Sequence, residues 1–110
     1  MKIAISTTGP DLKSLSESRF GRAKSFLLYD LETDTYSILE NEQNYALPQG
    51  AGVQTARHLI QSKVKVVISG HVGPKALETL KAGKVKIYLT SPRTISEILE
   101  DYKQDLLEEI

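Results

Sequence analysis

A chain of 110 residues, 40% hydrophobic and 25% charged, has the size and make-up of one ordinary globular domain spanning residues 1–110. It holds no cysteine, which excludes disulfides, thiolate zinc sites and cysteine-held iron–sulfur clusters. Its 14 Lys and Arg balance 14 Asp and Glu, so no net field favours nucleic acid or an anionic membrane.

The first residues, Met1-Lys2-Ile3-Ala4-Ile5-Ser6, turn polar before a signal sequence could form, and no apolar run is long enough to span a bilayer. A cytoplasmic location is expected. Ile3-Ala4-Ile5 predicts a buried strand that runs into the turn-rich stretch Ser6-Thr7-Thr8-Gly9-Pro10. From Thr7 to Lys24 no period is sustained, with room only for a short helix around Leu12 and Leu15. A connection of that length in a small domain points to function.

Ser25 to Leu31 and Tyr36 to Leu39, joined by the polar stretch Glu32-Thr33-Asp34-Thr35, predict an antiparallel hairpin. Asn41 to Gly52 forms a second loop. A helix starts near Ala51 or Gly52, with Val53, Ala56, Leu59 and Ile60 on one apolar stripe. Val64-Lys65-Val66-Val67-Ile68-Ser69 is the strongest strand signal, and Gly70 closes it.

Gly73-Pro74 opens the next helix, because proline at the first helical position loses no hydrogen bond. Ala76, Leu77 and Leu80 give that helix its buried face, and Gly83 stands just past its end. Val85 to Leu89 is a further strand. Thr94-Ile95-Ser96-Glu97 has capping-box spacing, and Ile95, Ile98, Leu99, Tyr102 and Leu106 continue a helical stripe. Glu108-Glu109 is expected as a solvated helix end. The order is β-β-β-α-β-α-β-α, a mixed sheet with parallel right-handed crossovers in its second half.

If the first and fourth strands are central neighbours, a ligand cleft belongs beyond their carboxyl ends. Ser6 to Gly9, Ala46 to Gly52 and Gly70 to Pro74 would converge there. Gly50-Ala51-Gly52 can bring backbone N–H groups close to an anion or simply make a tight helix entry, and it is no complete nucleotide motif. His71 would project over the cleft as a metal ligand or proton acceptor, or stand as a surface loop histidine. His58 lies off the apolar stripe of its helix and should face solvent. Arg19-Phe20-Gly21-Arg22 offers an anion clamp, in which a buried Phe20 aims the two guanidinium groups. Catalytic sets are poorly supported: no carboxylate is placed to orient His71 beside Ser69, and the central strands lack the clustered carboxylates of two-metal chemistry.

Three segments, Ser18-Arg19-Phe20-Gly21-Arg22-Ala23, Gln49-Gly50-Ala51-Gly52 and Gly70-His71-Val72-Gly73-Pro74-Lys75-Ala76, together resemble the NifX-like, or dinitrogenase iron–molybdenum cofactor biosynthesis, family. The resemblance covers nearly the whole chain. It implies an α/β domain of three α/β/α layers, a mixed five-stranded sheet in order 3-2-1-4-5, and ribonuclease H-like topology. It also implies a non-enzymatic protein that binds or carries an iron–sulfur or iron–molybdenum cluster precursor, with metal-cluster assembly proteins as partners. The positions carried over are Arg19, Arg22, Gly50, Gly52, Gly70 and Gly73, with His71 as the one metal ligand. Gln49 stands where some relatives have a histidine. The alternative is a small-anion or nucleotide-binding regulatory module without metal.

Overall fold

Alternating side chains of the central strands send apolar residues to both faces of one sheet, and so create two cores. The computed structural model describes residues 1–110, apart from the side chain of Tyr45. The strands are β1 (Lys2–Thr7), β2 (Ser25–Asp30), β3 (Thr35–Glu40), β4 (Val64–Ser69), β5 (Lys86–Leu89) and β6 (Glu108–Glu109). The helices are α1 (Glu42–Tyr45), α2 (Ala51–Gln61), α3 (Pro74–Ala82) and α4 (Ile95–Lys103), with a 3₁₀ turn at Phe20–Arg22.

The sheet runs β3-β2-β1-β4-β5-β6. β1 pairs antiparallel with β2 (Ile3 opposite Tyr29) and parallel with β4 (Ile5 opposite Ile68). β5 continues the parallel side, against β4. On one face Ala4, Phe26, Leu28 and Val67 meet Ala56 and Leu59 of α2 and Ala76 and Leu80 of α3. On the other, Ile3, Ile5, Leu27 and Ile68 meet Ile95, Ile98 and Leu99 of α4. Each such buried Ile or Leu stabilises the fold by roughly 1.5–3 kcal/mol relative to exposure. The result is the expected three-layer α/β/α arrangement with the expected strand order, extended by one short strand.

Four local expectations are corrected. No helix forms around Leu12 and Leu15: Leu15 is exposed, and its carbonyl accepts the Thr8 N–H at 2.9 Å. The last helix does not reach Leu106. It stops at Lys103, Asp105 turns to φ 59°, and Leu106 is exposed. Glu108-Glu109 is no helix end but pairs antiparallel with Tyr88 and Leu89, so β5 is not an edge strand. The loop after β3 contains the single-turn helix α1.

The long connection from Thr8 to Arg19 is tied down along its length. Glu17 N–H donates to the Ser6 carbonyl at 2.8 Å, Ser16 N–H to Arg93 at 2.8 Å, and Phe20 N–H to His71 at 3.0 Å. It crosses the carboxyl ends of the central strands as a strap, and this crossing decides where open space is left.

Candidate functional site

Phe20 is the anchor. It is fully buried, edge-on to Phe26 with ring centroids 5.4 Å apart, and it fixes the 3₁₀ turn whose flanks carry Arg19 and Arg22. Arg19 forms a parallel bridge to His71, and its N–H donates to Glu17 Oε2 at 3.0 Å. Arg22 Nη1 donates to the Leu47 carbonyl at 2.7 Å.

Glycine lets three elements close on this turn. A Cβ at Gly21 would stand 2.9 Å from Gly52 Cα, and one at Gly52 would stand 3.2 Å from Ala76 Cβ. The turn therefore rests directly on the start of α2, and the start of α2 on the start of α3. Gly50 enters α2 at φ 77°, a left-handed conformation that glycine adopts without steric cost.

Between these elements lies a cleft of about 470 Å³. Arg19, Arg22, Lys75 and His71 line it with Gly50, Gly52 and Gly73, and Phe20, Val53, Pro74 and Ala76 give it an apolar floor. No acidic residue is among its described lining. The caps of both α2 and α3 are glycines, Gly50 and Gly73, which bring no side-chain acceptor. Each helix therefore presents its first N–H groups and the positive end of its dipole at the cleft, the local chemistry that attracts an anion.

The structure thus brings Arg19, Arg22, Gly50, Gly52, His71 and Gly73 to one cleft. Gly70 lies outside the lining; a Cβ there would stand 2.7 Å from the Ser18 carbonyl oxygen, so it permits the strap to pass. Ser6 to Gly9 do not reach the cleft either, because the strap stands between. Thr7 and Thr8 line a neighbouring cavity instead. His71 is exposed, and its imidazole has no hydrogen-bond partner among the described residues. Ser69 shares a hydrogen bond with Ser6 Oγ at 2.9 Å, which leaves no Ser69–His71 pair. His58 is half-buried, 3.3 Å from Gln43 Nε2, on a separate polar groove.

Sequence reasoning missed Lys75 and the floor residues Val53, Pro74 and Ala76. Lys75 follows Pro74 in the first turn of a helix already marked as a candidate, and that position beside His71 was its only signal. Among the described residues no three His, Cys, Asp or Glu side chains are grouped to hold a metal ion, and no helix is long and apolar enough to cross a membrane.

Comparison with known proteins follows the same geometry. The apo form of the orange protein from Desulfovibrio gigas superposes with a TM-score of 0.95 at 30% identity, covering 99% of this chain and 92% of that one. A NifB-like Thermotoga protein of the DUF35 family gives a TM-score of 0.86 at 35% identity, covering 98% and 91%. An uncharacterized protein of Methanocaldococcus jannaschii is 27% identical over 111 residues, 98% of this chain and 90% of its own. The family model for the dinitrogenase iron–molybdenum cofactor matches residues 1–105. The chain belongs to the dinitrogenase iron–molybdenum cofactor family.

Proposed function

We propose that the protein is a non-enzymatic carrier that holds an anionic iron–sulfur or iron–molybdenum cluster precursor in this cleft and passes it to metal-cluster assembly proteins. The observation that carries the reading is the gathering of Arg19, Arg22 and Lys75 with two helix N-termini around one cleft lined by no carboxylate.

The donor set fits a cargo held by charge rather than by a ligand cage. His71 is the single metal-ligating side chain at the cleft, so at most one coordinate bond comes from the lining. The remaining hold comes from guanidinium and ammonium groups and from N–H groups at the starts of α2 and α3. Such charge-assisted contacts contribute about 1.5–3 kcal/mol each. The apolar floor suits the weakly hydrated sulfide faces of a cluster. Arg19, His71 and Lys75 are exposed, which suits a cargo that must leave again. Membership of the family supports the same reading.

The test is anaerobic mixing with a cluster precursor, followed by gel filtration and visible absorption. Colour should travel with the wild-type protein and be retained at least about tenfold more weakly by Arg19→Ala/Arg22→Ala. A colourless wild-type fraction, or full retention by the double variant, would contradict the proposal. Stabilisation by nucleotides without any cluster uptake would favour the small-anion module instead.

A further inference from the structure

The turn that carries Arg19 and Arg22 has a second side. Beyond it lies another cavity, of about 530 Å³, lined by Thr7, Thr8, Glu17, Arg19, Arg22 and Lys24. The two arginines are therefore a wall common to both chambers. The second chamber opens at the carboxyl end of β1, the central strand between the antiparallel and parallel halves of the sheet. Open α/β sheets place ligands at such a point. We propose that this chamber is a separate binding site for a doubly charged tetrahedral oxyanion of the phosphate and sulfate class.

Charge is the first argument. Three cations stand against one carboxylate in the lining, a balance of 3 − 1 = 2 positive charges, in a chain whose formal net charge is +0. A dianion neutralises that balance, whereas a monoanion leaves half of it. The carboxylate is also held in place, since Glu17 Oε2 accepts the Arg19 N–H at 3.0 Å.

Rigidity is the second. Thr8 donates both its N–H and its hydroxyl to the Leu15 carbonyl, at 2.9 and 2.8 Å, and the Thr7 hydroxyl donates to the Gly9 carbonyl at 2.8 Å. The walls are fixed in advance, and the hydroxyl protons are committed elsewhere. Recognition thus falls to guanidinium and ammonium groups, which select on charge and size.

The contrast with the cleft is the third. The cleft has Phe20, Val53 and Ala76 as its floor, while every side chain in the second lining is polar or charged. A strongly hydrated oxyanion suits the second chamber, which has the volume to admit it with bridging water. This inference does not depend on what fills the first cleft.

The test is an amide NMR titration of the full chain with sodium sulfate and sodium phosphate, and with sodium nitrate at matched ionic strength. Saturable shifts are expected at the Thr7, Thr8 and Glu17 amides with the two dianions and not with nitrate. Lys24→Ala should weaken binding about fivefold and Glu17→Gln should tighten it about twofold, while Lys75→Ala, which alters only the first cleft, should change it less than about twofold. The same spectra report whether each variant remains folded. Equal shifts with nitrate, shifts confined to Gly52, Val53 and Lys75, or an unaffected Lys24→Ala would each overturn the proposal.

Discussion

Lys75 shows how much one side chain can contribute without supporting the fold. It is exposed at the second position of α3, so its ammonium adds charge to the cleft and little to the core. Lys75→Ala is expected to weaken cargo binding several-fold while leaving the melting temperature within about 1 °C, because surface substitutions away from packed features stay within about 0.5 kcal/mol. Parallel binding and thermal-unfolding measurements check both halves. Gly21 is the opposite case. With Gly52 Cα and N each 2.9 Å from the place of its missing Cβ, Gly21→Ala must push the 3₁₀ turn off α2. A loss of about 1–3 kcal/mol is expected from that overpacking, together with weaker cargo binding, and chemical denaturation of the variant measures the first.

At the scale of elements, α4 was fully announced by its own residues. Thr94 Oγ1 accepts the Glu97 N–H at 3.3 Å, and the Thr94 N–H reaches Glu97 Oε1 at 3.2 Å, closing the box that the spacing predicts. Thr94→Ala should cost about 1 kcal/mol and lower the melting temperature by about 4 °C or more. The Thr94 hydroxyl and then its N–H hold the Glu97 carboxyl below the usual carboxylate range. A lowered folded-state pKa contributes stability that is present above the unfolded value and is lost as pH falls through the folded one. The difference in stability between wild type and Thr94→Ala should therefore shrink in acid, which denaturation at successive pH values records. Elements with a long periodic pattern, such as β4 and α4, are legible because burial and local preference agree. The two-residue β6 and the single-turn α1 are too short to carry a period. β6 exists because the chain, after Asp105 reverses it, falls beside the free edge of β5, a tertiary event with no local signature.

For the whole molecule the same division separates the legible part of the site from the rest. The loops at Arg19 to Arg22, Gly50 to Gly52 and Gly70 to Pro74 announce themselves by their arginines, glycines and proline. Their meeting depends on contacts distant in sequence, Gly21 on Gly52 and Gly52 on Ala76, and on a strap that keeps Ser6 to Gly9 away. A chain with equal numbers of acidic and basic residues thereby acquires a local cationic cleft that its composition conceals. If charge retains the cargo there, salt must release it, since the screening length falls from about 10 Å at 0.1 M to about 3 Å at 1 M. The most direct measurement is the anaerobic affinity for a cluster precursor across that range of salt, in wild type and in Arg19→Ala/Arg22→Ala. A steep fall with salt in the wild type and a flatter, weaker profile in the variant are predicted. An affinity indifferent to salt, or identical slopes in the two proteins, would contradict the account.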